Sequence, residues 1–136
     1  MAGSKCSEWG VAILRIVVGL VFAMHGGQKL FVYGIDGVAA GFAQLGLPLP
    51  YVAAILATAA EFGGGVALLL GLYTRWAAMP IAATMLVAIF HVHLKNGFFA
   101  PGGFEYPLTL LAAAIALMSV GSGALSIDSC RARKQG

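Results

Sequence analysis

The sequence predicts an all-α integral membrane protein folded as a four-helix bundle. Three observations carry that prediction. Hydrophobic residues make up 60% of the 136 and charged residues only 10%. No soluble domain of this length could bury so much apolar surface. The apolar residues also fall into four runs, about residues 9–31, 51–72, 76–94 and 105–120, joined by short connections. One domain therefore covers residues 1–136.

Each run has its own justification. Residues 1–8 form a short polar lead. The first span runs from Trp9 to Met24 and, if it continues to Phe31, is long enough to cross a core of roughly 30 Å. No A-x-A cleavage site follows it cleanly, so it reads as a span rather than a removed signal. Tyr33–Pro50 is punctuated by Gly and Pro; a short amphipathic helix fits Val38–Leu45, and Leu47–Pro50 breaks it. The second span carries ATAAEFGGG at its middle. The short turn Gly71–Arg75 makes spans two and three a hairpin. Pro80 is expected near the first turn of span three, where a proline costs little. Span four opens with Glu105 and Pro107. Gly121–Gly123 and a basic tail end the chain, and there is no convincing internal repeat.

The net charge of +3 is local. Arg131, Arg133 and Lys134 cluster in the tail, which is a topology signal and not a nucleic-acid surface. Lys5, Arg75 and the three tail cations fall on one side of the predicted spans, and only Lys29 and Lys95 on the other. Both termini are therefore expected in the cytoplasm. An even number of spans then places the segments around His25 and His93 on one membrane face. Cys6 and Cys130 lie at opposite ends of the chain without a C-x-x-C, which argues against a dithiol relay.

Chemistry concentrates in Met24–Phe31, MHGGQKLF, where the first run stops being apolar. Arg15, Gly19, Phe22, Gly26 and Lys29 follow a 4, 3, 4, 3 spacing and share one helical stripe, with His25 beside it. Such a stripe must face protein, water or a ligand rather than lipid. Lys29 reaching for the headgroups and His25 marking the interface is the simpler alternative.

Glu61 is the strongest single signal. A carboxylate in mid-span costs several kcal/mol unless it is paired, hydrated or protonated. Its helical neighbours Ala57, Thr58, Gly64 and Gly65 are all small, so either another helix packs closely there or a pocket opens. A bundle-fixing ion pair with Arg15 or Lys29 is one role, and a proton carrier or ligand anchor is another; the two are compatible. Helical side chains lean towards the N-terminus, which favours His25 or Lys29 as the partner.

His91 and His93 are two residues apart and do not make an i, i+4 metal pair. A metal or haem would need tertiary convergence with His25, and neither is expected. Phe98, Phe99, Phe104 and Tyr106 suit an interfacial aromatic belt. Beside Gly97, Gly102, Gly103 and Glu105 they also suit a flat apolar mouth for a quinone ring, with His, Lys or Glu to bond a carbonyl and move protons.

Arg15–Phe31, RIVVGLVFAMHGGQKLF, resembles the first-span signature of the DoxX family. EFGGG at Glu61–Gly65 resembles its second-span motif. The segment from His93 to Phe99, followed by GGFEY at Gly102–Tyr106, resembles the stretch before its last span. The third glycine of EFGGG and the second histidine of the later segment depart from the family pattern. The resemblance spans nearly the whole chain and implies a small four-helix membrane protein. It also implies kinship with the large subunit of a thiosulfate:quinone oxidoreductase, with a member linked to thiol-redox and superoxide-detoxifying partners, and more distantly with a eukaryotic cargo receptor. Carried across residue by residue, it points to Arg15, His25, Lys29, Glu61, His93 and Glu105.

The expectation that follows is a quinone-linked redox subunit of a bacterial inner membrane. His25, Lys29 and Glu61 would do the proton chemistry, and Arg15, His93, Phe98, Phe99 and Glu105 would hold the quinone. The electron donor would sit on a protein partner, because the chain has no obvious redox centre. A non-enzymatic scaffold for a redox or stress-response partner is the rival. A small-molecule or lipid carrier is the other, and it would need to form a homodimer.

Overall fold

The structure is a computed structural model that describes residues 2–99 and 101–135. Met1 of the polar lead, Ala100 in the stretch before the last span and Gly136 lie outside the described residues. Among the described residues every regular element is helical. These are α1 (Ala2–Gly27), α2 (Gly34–Gln44), α3 (Pro50–Leu70), α4 (Thr74–Ala88), α5 (Glu105–Val120) and α6 (Ile127–Gln135). Two π-helical segments, Gln28–Tyr33 and Ile89–His93, extend α1 and α4 at their C-terminal ends.

Four helices close into a ring. α1 packs along α3, α3 along α4, α4 along α5, and α5 returns to α1. Three helical stretches are long and apolar enough to cross a membrane, and α5 is a shorter apolar helix. Its 16 residues span about 24 Å at 1.5 Å per residue. Val18, Phe22, Leu68, Ile81, Leu110 and Leu117 fill the centre of the ring. Their burial leaves Ile13, Val17, Leu20, Leu56, Phe90 and Ile115 exposed. A bilayer is the solvent that accepts such an outer surface, so the chain is an integral membrane bundle.

Glycine sets the closest helix pair. A Cβ at Gly26 would land on the backbone of Phe62, and one at Gly65 on the backbone of Ala23. At Gly19 it would come 2.8 Å from the amide nitrogen of Leu69. Only hydrogen fits at these three places, which lets α1 and α3 meet backbone to backbone.

Several elements differ from the sequence expectation. The polar lead is not separate, because α1 already begins at Ala2. The helix over Val38–Leu45 starts four residues earlier, at Gly34. A straight run from Ser4 to Gln44 would be about 60 Å long, twice the membrane core. The chain therefore has to break, and Gly34, with φ at +70°, is the residue that can do so. α2 then packs Val38 and Ala39 onto Ala54 in the first turns of α3. Pro80 lies inside α4 and not in its first turn, because α4 starts at Thr74. Its missing N–H leaves one backbone bond unmade. The basic tail is helical as α6, and Asp128 at its start caps α4, accepting from the amides of Tyr73 at 2.8 Å and Thr74 at 3.0 Å.

Candidate functional site

The stripe of α1 faces α3, as its spacing requires. Phe22 is buried against the core, Gly26 touches Phe62, and Lys29 follows as the second residue of the π-helical segment. Lys29 Nζ donates to Glu61 Oε2 at 2.6 Å, with 21% of the lysine side chain and 7% of the glutamate side chain exposed. A mid-span carboxylate thus finds a cation one helix away, on the side towards which its side chain leans. Glu61 is as buried as it is because its neighbours are small. Gly65 admits α1, and Gly64 admits Ile81 of α4.

This ion pair stands between two cavities. The first, of about 390 Å³, lies at one end of the bundle. His25, Lys29, Glu61, His93 and Tyr106 bring polar groups to it, and Phe22, Met85 and Leu110 supply apolar walls. The second, of about 490 Å³, lies between α2, α3 and α4 and is lined chiefly by Ala, Leu, Val and Pro. Lys29, Glu61 and Ala88 line both.

The chamber floor is held by hydrogen bonds. His93 Nδ1 lies 2.8 Å from the carbonyl of Gly102, which can only accept, so Nδ1 carries the proton and Nε2 is left as the acceptor of the neutral ring. Asn96 Nδ2 donates to the same carbonyl at 3.0 Å. The loop after α4 closes with Phe104 N donating to Gly97 O and Glu105 N to Phe98 O, both at 3.0 Å. Each π-helical segment supplies one residue to this chamber. Lys29 sits in one and His93 in the other, and π segments gather at functional sites.

The structure brings together His25, Lys29, Glu61 and His93, and adds Tyr106. In the sequence that residue stands only as one of four aromatics of a belt or of a quinone mouth; its place next to Pro107 at the start of α5 puts it on the chamber wall. The other expected residues are elsewhere. Arg15 shares the stripe but stands about 21 Å along the helix from Lys29 at 1.5 Å per residue. It is fully buried, and its five N–H groups donate to five backbone carbonyls: Leu68, Leu69, Ser122, Ala124 and Leu125, at 2.6–3.1 Å. Phe98 and Phe99 pair edge-on with each other at 5.4 Å, and Phe98 also with Phe104 at 5.3 Å. Neither Phe98 nor Phe99 lines either cavity, because the loop turns their rings outward. Glu105 is half-buried at the first residue of α5 and lines neither cavity. Among the described residues no three His, Cys, Asp or Glu side chains gather as a metal-ligand group.

A ring of four apolar helices with a polar chamber at one end defines a small multi-pass membrane protein built around a pocket. The chain belongs to the DoxX family, whose family model matches residues 10–94. It is 36% identical over 125 residues to the Bacillus subtilis (strain 168) protein named "Putative oxidoreductase CatD", covering 92% of this chain and 89% of that one. It is 32% identical over 122 residues to inner membrane protein YphA of Escherichia coli (strain K12), covering 85% of this chain and 86% of that one. With inner membrane protein YqjF of the same organism it shares 33% identity over 131 residues, covering 91% of this chain and 93% of that one. No solved structure matches the chain.

Proposed function

We propose that the protein is a quinone-binding subunit of a membrane redox system in a bacterial inner membrane, with both termini in the cytoplasm and the electron donor on a protein partner. The observation that carries this reading is the convergence of Lys29, Glu61, His25, His93 and Tyr106 on one chamber of about 390 Å³ with apolar walls. A quinone, when bound, supplies two-electron chemistry coupled to two protons. The donor set fits such a ring. Its carbonyl oxygens need donors, and the chamber offers the Lys29 ammonium and the Tyr106 hydroxyl. Its faces need apolar contact, which Phe22, Met85 and Leu110 offer.

The chain's own residues also suit proton handling. Glu61 balances the Lys29 ammonium, so a proton can be held at Nζ without an unpaired charge inside the bundle. His93 is oriented by the Gly102 carbonyl at Nδ1, which leaves Nε2 as the ring nitrogen that can exchange a proton. His25 is exposed and lines the chamber, so it can pass protons to and from water. The relative named as an oxidoreductase supports a redox role, and the two named as inner membrane proteins support the location.

The test is native mass spectrometry with lipid extraction on gently purified protein, wild type beside Glu61→Gln. We expect a bound quinone in the wild type and at least a tenfold lower occupancy in the variant. A wild type without quinone that carries a stoichiometric protein would instead establish the scaffold, with the Lys29–Glu61 pair serving to lock α1 to α3.

A further inference from the structure

The apolar groove beside the chamber belongs to neither the proton chemistry nor the packing of the core. Among the described residues its polar contributors are Lys29, Glu61 and Thr84. The Thr84 hydroxyl already donates to the carbonyl of Ile81 at 2.7 Å, and Glu61 is held by Lys29. Beyond the ion pair, then, the side chains of the groove offer an occupant no free donor and one hydroxyl acceptor, Thr84, so a hydrocarbon fills it at least cost in hydrogen bonds. Leu56 and Val87 on its walls are themselves exposed to the lipid side.

The geometry points to one ligand lying across both cavities: an amphiphile with its ring in the polar chamber and a prenyl or alkyl tail in the groove between α2, α3 and α4. This rests on the quinone reading above and adds the tail and its path. Three residues form the junction, since Lys29, Glu61 and Ala88 line both spaces. Two of them are the ion pair. The third is an alanine, the smallest side chain able to continue the helix, at the residue where α4 gives way to its π-helical segment. Ala88 thus leaves a passage beside the charged pair, and a larger side chain there would separate ring from tail. Ala57 on α3 and Ala83 on α4 are small residues on the groove walls that leave the space for the tail.

The test is binding of two benzoquinones that share one substituted ring, one bearing a ten-carbon alkyl tail and one bearing none, to full-length protein in nanodiscs, read by calorimetry and native mass spectrometry. The wild type should bind the tailed compound at least tenfold more tightly. Ala57→Phe and, independently, Ala83→Phe should erase that advantage and leave the tailless compound within about twofold of wild type. Two positions on two helices keep the test alive if one variant does not fold, and thermal melting identifies which have folded. Folded groove variants that weaken both compounds equally, or neither, would overturn the tail assignment while the quinone reading stands. If the wild type binds neither compound, the quinone reading itself falls and the tail assignment with it.

Discussion

Two cations on one helical stripe present the same problem and solve it in opposite ways. Arg15 lies in the middle of α1, facing the bundle end where α3 stops, and Lys29 lies just past α1 at the end that holds the chamber. Each is carried into an apolar bundle. Arg15 is fully buried, and all five of its donors are taken by backbone carbonyls of the α3 C-terminus and of the segment before α6. Those carbonyls include orphans that any helix end leaves open, so one side chain serves two carbonyls at the end of α3 and pins the segment before α6 to it. Nothing is left over for a ligand. Lys29 donates to Glu61, keeps 21% of its side chain exposed, and borders two cavities. A cation with spare donors beside an open space is built to meet something else. The difference teaches that position on a polar stripe does not define a site. What satisfies each donor does.

The largest effect expected is at the closed end. Arg15→Met keeps the approximate length and apolar stem but strips five carbonyls of their donor. The loss should be about 5 kcal/mol or more, since each buried unpaired polar group costs about 1–3 kcal/mol. Thermal melting in detergent should drop by roughly 10 °C or more, or the protein should fail to fold. Arg15→Lys should not rescue it, because three donors from a point charge cannot serve five carbonyls. An Arg15→Met protein that melts with the wild type and loses only quinone would dissolve the contrast and move Arg15 into the site.

At the open end the effect should be smaller and should separate stability from binding. A double-mutant cycle of Lys29→Met and Glu61→Gln measures the pair alone. We expect a coupling of about 1–3 kcal/mol in thermal stability, because removing one partner strands the other in a low-dielectric bundle. Quinone occupancy should already be lost in each single variant and should not return in the double variant, although the charge imbalance is relieved. Recovered occupancy in the double variant would mean that the pair only shapes the bundle.

Much of this was legible before the fold was known, and the part that was not has a physical cause. Helix existence follows from apolar runs, and Glu105–Val120 was bounded to the residue because Pro107 at one end and Gly121 at the other leave little choice. The convergence of the His25 and His93 segments follows from an even span count. The small residues around Glu61 announced either a close helix or a pocket, and they supply both, with Gly65 against α1 and Ala57 on the groove. The π segments were not legible, because one extra residue in a turn leaves no compositional mark. The role of Arg15 was not legible either. Its partners are backbone carbonyls up to 110 residues away in sequence, and no spacing rule reports those. The capping of α4 by Asp128 is hidden for the same reason.

The smallest expected effect tests the aromatic loop. Phe99 is 78% exposed and touches the fold mainly through Phe98, whose ring it meets edge-on at 5.4 Å. The loop itself is held by backbone bonds from Phe104 to Gly97 and from Glu105 to Phe98, which do not depend on the Phe99 ring. Phe99→Ala should therefore change stability by no more than about 0.5 kcal/mol and leave quinone occupancy at the wild-type level. Tyr106→Phe, at a residue that does line the chamber, removes only a hydroxyl yet should reduce occupancy, because Tyr106 is one of the few lining residues that carry a side-chain donor. If the order is reversed, with Phe99→Ala emptying the protein and Tyr106→Phe harmless, the ring is held at the membrane-facing aromatics. The polar chamber would then be a proton route and not the binding site.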